Sequence, residues 1–125
     1  MKPTSVLIDT HILLWILSKS KKLKDVPWIK EFNYLTLSPI SLLEIKFLKE
    51  CGRIDLEFDE LIGKLKKDTA FHIDDISFDE VCTAAFSFPW TRDPFDRLLV
   101  AHSQVRNIPL GTCDTMIKKH YSHTV

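Results

Sequence analysis

At 125 residues, 45% of them hydrophobic and 27% charged, the chain has the size and apolar content of one domain, residues 1–125, with no low-complexity segment. Its 17 basic and 17 acidic residues balance, which argues against a protein that grips nucleic acid by bulk positive charge. The apolar run from Ile12 to Leu17 is too short to cross a bilayer and Met1-Lys-Pro-Thr carries no hydrophobic leader, so a cytoplasmic location is expected.

Ser5-Val-Leu-Ile-Asp9 is an apolar run that stops at an acid, the pattern of a buried strand. A helix over about Thr10 to Ser18 follows. Lys19, Lys21, Lys22 and Lys24 form a solvated connection into a helical segment around Pro27 to Phe32. Tyr34 to Ser38 forms a second strand. Ser38-Pro39 then opens a long helix that Cys51-Gly52 ends, proline suiting the first turn and glycine the stop. A shorter helix covers Asp59 to Lys67, and Ala70 to Ile76 is a third strand. Ser77-Phe-Asp-Glu80 matches a capping box and starts a helix to about Phe86. After the connection Phe88-Pro-Trp-Thr91, Asp93 before Pro94 reads as the N-cap of another helix, with Asp96 in its first turn. Ile108 to Thr112 is the fourth strand. Strands alternating with helices predict an α/β fold, a three-layer α/β/α sandwich around a parallel sheet. Ligands of such sheets bind beyond the carboxyl ends of the strands, where Asp9 and Asp114 fall.

Glu44 stands out when the helix from Ile40 to Cys51 is wound at 3.6 residues per turn. Ile40, Leu43, Phe47, Leu48 and Cys51 lie on its side, and Lys46, Lys49 and Glu50 lie opposite. A carboxylate centred in an apolar stripe needs a lysine or arginine partner or a metal ion, because burying it unpaired costs several kcal/mol on the order of known effective penalties. Asp9, Asp96 and Asp114 each have an ordinary role as helix caps or first-turn acids. Taken with Glu44 they form a possible cluster that repels itself unless a cation or protons occupy it. Hard oxygen ligands suit Mg²⁺ or Mn²⁺, and such ions bind phosphate and lower the pKa of bound water, as phosphodiester cleavage requires. With these four set aside, 17 basic residues face 13 remaining acids. Arg92 and Arg97, which flank Asp96, are then candidates to hold a polynucleotide, ahead of the lysines at 19 to 24. Cys51, Cys82 and Cys113 give neither an even set nor a close pair. Cys113 with His120 and His123 lacks a visible fourth ligand, so zinc is not expected.

Four segments together resemble a PIN-domain ribonuclease of the VapC toxin type: Val6-Leu-Ile-Asp-Thr-His-Ile-Leu-Leu-Trp15, Ser38-Pro-Ile-Ser-Leu-Leu-Glu-Ile-Lys46, Phe88-Pro-Trp-Thr-Arg-Asp-Pro-Phe-Asp-Arg-Leu-Leu-Val-Ala101 and Leu110-Gly-Thr-Cys-Asp114. The resemblance runs through nearly the whole chain. It implies a Mg²⁺- or Mn²⁺-dependent endoribonuclease that hydrolyses RNA phosphodiesters as the toxin of a toxin–antitoxin pair. The family's first acid falls on Asp9, its helix glutamate on Glu44, its third acid on Asp96 and its fourth on Asp114. The hydroxyl that accompanies the fourth acid falls on Thr112, and Thr10 is a second supporting hydroxyl. Asp9, Glu44 and Asp96 would hold the ion, with Asp114 behind them or on a second ion. A homodimer and a small cognate antitoxin lying across the site are implied as well. Gly111 and Cys113 depart from the β-branched or small aliphatic residues usual at their positions. Three alternatives carry similar acids: a DNA or flap-type nuclease, an inactive PIN-like binding module, and a receiver-type phosphoacceptor, which lacks here the lysine expected near Cys113.

Overall fold

The computed structural model describes residues 5–125; Met1–Thr4, read above for the lack of a leader, lie outside the described residues. The strands are β1 (Ser5–Ile8), β2 (Tyr34–Leu37), β3 (Phe71–Ile73) and β4 (Leu110–Gly111), and the helices are α1 (Thr10–Ser18), α2 (Pro39–Glu50), α3 (Phe58–Lys67), α4 (Phe78–Ala85), α5 (Pro94–Arg106) and α6 (Thr115–His120). All pairings are parallel, in the order β3-β2-β1-β4. The chain winds outward from β1 to β3, then crosses to the far side for β4. The order therefore reverses between β1 and β4, the switch point at which such sheets bind ligands.

Alternation along β1 builds two core layers. Val6 and Ile8 join Ile12 and Leu13 of α1, Leu37 of β2 and Leu61 and Leu65 of α3 on one face. Leu7 points the other way, onto Leu99 and Val100 of α5 and Ile117 of α6. All three β1 residues are fully buried. Each contributes about 1.5–3 kcal/mol by removal from water, so the strand that ends in Asp9 is among the most firmly held parts of the chain. Among the described residues, no helix is long and apolar enough to cross a membrane.

Several elements are shorter than the sequence predicts. The third strand stops at Ile73, although Asp74 N–H still donates to the Leu37 carbonyl at 3.0 Å; the Asp74 carboxylate accepts from Arg106 Nε and Nη2 at 2.7 and 2.8 Å and meets the fully buried His102 Nε2 at 2.8 Å. Those partners hold the Asp74 carboxyl down at about 2 despite its burial. The fourth strand narrows to two residues, since the β1 backbone reaches only Pro109 to Gly111. The lysine-rich connection and the segment from Pro27 are 3₁₀ turns, Lys21–Asp25 and Pro27–Glu31. The stop at Gly52 is as the sequence predicts, with φ at +72°.

Gly111 departs from the pattern for a steric reason. A Cβ built there would overlap the six-membered ring of Trp28, so the indole fills the space that a β-branched residue would need.

Candidate active site

Among the helices that begin at the carboxyl end of the sheet, three begin on an aspartate. Asp9 follows β1 in extended geometry and caps α1, its Oδ1 accepting from Ile12 N–H at 2.9 Å. Asp93 caps α5, accepting from Phe95 and Asp96 N–H at 2.9 and 3.3 Å. Asp114 caps α6, accepting from Ile117 N–H at 2.9 Å. The cap geometry answers the unpaired N–H groups of each first turn, and it leaves Asp9 and Asp114 at one crevice.

A cavity of about 230 Å³ opens there, bordered by Asp9, Glu44, Asp96 and Asp114 together with Thr10, His11, Trp15 and Cys113. The four acids predicted from sequence are thus brought together. Both predicted hydroxyls support them. Thr112 Oγ1 donates to Asp9 Oδ2 at 2.6 Å and accepts from Asp114 N–H at 3.0 Å, which links the first acid to the fourth. Thr10 Oγ1 donates to Glu44 Oε1 at 2.5 Å.

Glu44 requires a correction to the sequence argument. The buried side of α2 is that of Ser41 and Ile45, whereas Leu43 and Phe47 are 57% and 49% exposed and Glu44 is only half-buried. The sheet covers one flank of α2, and the apolar stripe around Glu44 falls largely on the other. Among the described residues no lysine or arginine pairs with Glu44, so the ion-pair alternative is not met. The hydroxyl of Thr10 takes that place.

The carboxylate with the fewest protein partners is Asp96. Asp9 accepts two hydrogen bonds and Glu44 accepts one, but no donor among the described residues reaches the Asp96 carboxylate. Burial, followed by repulsion from Asp93, Asp114, Glu44 and Asp9, pushes the Asp96 carboxyl up to about 7. Burial likewise raises Glu44 against the opposing Thr10 bond, and Asp9 against the bonds from Thr112 and Ile12. The site holds more negative charge than its own donors compensate, which is the electrostatic condition for a bound cation.

The two arginines separate. Arg97 turns away, its Nε donating to the Ala85 carbonyl at 2.7 Å and tying α5 to α4. It is not among the residues that border the cavity. Arg92 is exposed in the connection before Asp93. The sequence argument missed His11, Trp15 and Cys113 as lining residues; each lies within six positions of a predicted acid, and that proximity was the available signal.

A model of the PIN domain matches residues 6–122. The chain belongs to the PIN-domain family. The match spans all four acids of this PIN domain and both supporting threonines. No curated protein matches the chain. Among solved structures it is similar to a toxin–antitoxin complex from Klebsiella pneumoniae, with a TM-score of 0.71 and 18% identity over 96% of this chain and 95% of that one. At that identity the likeness concerns the fold.

Proposed function

We propose that this PIN domain is a divalent-metal-dependent endoribonuclease, the toxin of a toxin–antitoxin pair. The observation that carries the reading is the convergence of Asp9, Glu44, Asp96 and Asp114 on one crevice at the switch point of the sheet, with no donor among the described residues reaching Asp96.

The donor set fits a hard cation. Its oxygens suit Mg²⁺ or Mn²⁺, and the raised carboxyls mark uncompensated charge. Among the described residues no three carboxylate, imidazole or thiolate groups form a set that could hold an ion by themselves, so waters would have to complete the shell of an ion held here. Asp9, Glu44 and Asp96 would hold the ion, and Asp114 would act beside them. When bound, the ion supplies a water of lowered pKa and charge to offset that of the attacked phosphate. Thr112 holds Asp9 and the Asp114 backbone in register, and Thr10 does the same for Glu44, so the carboxylates keep their spacing under mutual repulsion. Phosphodiester hydrolysis then adds water across one P–O bond, the leaving oxygen taking up a proton.

The toxin assignment is supported by the likeness to a toxin–antitoxin complex, and a small antitoxin is the partner proposed. A homodimer is proposed through the apolar strip of α2 and α4. Leu43 and Phe78 are 57% and 67% exposed there and border a cavity of about 370 Å³ with Ile40, Val81 and Leu98. Light scattering on the purified chain and on Phe78→Asp tests the dimer.

The decisive experiment compares single-stranded RNA and DNA on one gel with Mn²⁺, using the wild type, Asp96→Asn and Glu44→Gln. RNA cut by the wild type alone is the expected result. Cleavage confined to DNA would favour the flap-type alternative, and cutting by Asp96→Asn at the wild-type rate would remove the acid cluster from the mechanism.

A further inference from the structure

An aromatic stack lies on the surface outside the acid crevice, neither of its rings lining that cavity. Trp90, in the connection between α4 and α5, meets the His120 imidazole with ring centroids 5.0 Å apart and planes 13° from parallel. The indole is anchored from beneath, since Trp90, Phe88 and Tyr121 all pack against the core of Leu99 and Ile117. The other aromatic pairs of this group meet edge-on, Phe88 with Trp90 at 72° and Phe88 with Tyr121 at 75°. Tyr121 also meets the exposed His123 at a tilt of 53°, so the parallel contact onto an exposed ring is that of Trp90 with His120.

Both elements that form the stack lead back to the acids. His120 is the last residue of α6, whose cap is Asp114; six residues of helix span about 9 Å. Trp90 precedes Thr91 and Arg92, after which the chain enters α5 with Asp96 in its first turn. Arg92 and Lys119 are exposed next to Trp90 and His120 respectively, and neither forms an ion pair among the described residues. A contact that merely fastened α6 to this connection would be served by a buried side chain. An exposed flat ring on an immobilised indole is instead the arrangement on which single-stranded bases stack.

We infer that the Trp90–His120 stack is a base-stacking platform for a nucleotide of single-stranded RNA flanking the cleaved phosphate, with Arg92 and Lys119 on the phosphates of that strand. This rests on the nuclease reading of the acid site and adds to it a means of holding substrate. Because the chain has no net charge, stacking supplies attraction that long-range electrostatics does not.

The test uses the full chain and a fluorescein-labelled single-stranded oligoribonucleotide, with binding followed by anisotropy in EDTA and cleavage followed with Mn²⁺. His120→Ala should weaken binding about tenfold, the low end of the usual effect of losing a stacked base, and raise KM with kcat little changed. His120→Phe should restore both. Substituting abasic nucleotides should remove the difference between wild type and His120→Ala. Melting temperatures of both variants identify any loss of fold. RNA cleavage with the same KM and affinity in His120→Ala overturns the platform and leaves the nuclease reading standing. Failure of His120→Phe to restore binding at an unchanged melting temperature also overturns it. A wild type that neither binds nor cuts single-stranded RNA removes both.

Discussion

Asp96→Asn in metal-free buffer separates electrostatic strain at the site from ordinary helix capping. A carboxyl that titrates near 7 in the fold rather than near 3.8 disfavours its ionised form there by about 4 kcal/mol at most. Solvent reaches a half-buried group and screens part of this, so about 1–3 kcal/mol is the effect expected. The folded-state pKa is raised, so the penalty is complete above pH 7 and is relieved as pH falls from 7 towards 4. His102 acts in the opposite sense, because burial lowers the pKa of its imidazole in the fold while the unfolded chain gains a proton below about 6.5. The wild-type profile alone therefore mixes two trends, and the difference between wild type and variant isolates Asp96. In EDTA at pH 8, Asp96→Asn should be the more stable by about 1–3 kcal/mol, or roughly 3–10 °C in melting temperature for a domain of this size. By pH 5 most of that advantage should be gone. Urea denaturation at both pH values measures it directly. Equal stability of the two proteins at pH 8, or an advantage of the variant that does not depend on pH, would refute the account of Asp96 as an uncompensated carboxylate.

Three further outcomes follow from particular contacts. Thr112→Val removes the donor to Asp9 and the acceptor for Asp114 N–H; a cost of about 1–3 kcal/mol and a large loss of cleavage are expected, by urea titration and by the gel assay. Gly111→Ala should destabilise by about 1–3 kcal/mol through overlap with Trp28, and Trp28→Leu in the same chain should recover part of it, a coupling that a double-mutant cycle reads out. Asp93→Ala should cost about 1 kcal/mol as a lost N-cap, whereas Asp93→Asn, which keeps an acceptor for Phe95 and Asp96 N–H, should melt close to the wild type and continue to cut RNA.

The order of elements through the fourth strand was legible in the sequence because apolar runs ending in acids, proline after a cap and glycine after a helix are local signals, whereas the short α6 was not read. Asp9, Asp96 and Asp114 were legible for the same reason, each standing at a strand end or a helix start. Glu44 was identified by its helical position, yet for a reason the fold does not support: periodicity identifies an apolar stripe but not which flank a neighbouring layer will cover. The Asp74 contacts were hidden because its partners His102 and Arg106 stand 28 and 32 residues further on. The Arg97 contact was hidden likewise, since nothing near it in sequence announces the Ala85 carbonyl. Gly111 looked like a departure until Trp28, more than eighty positions away, supplied the cause.

Asp9 and Asp114 serve two masters: each fastens a helix by its N-terminus and each presents negative charge to the crevice. An asparagine keeps the oxygen that the helix needs and gives up the charge. On the function proposed above, then, one base change in the gene that turns aspartate into asparagine at these positions would silence the chemistry while leaving an acceptor for each helix cap. Under that reading such a chain would still meet the proposed partner without cutting anything, so loss of activity is a short mutational step that leaves a folded competitor behind.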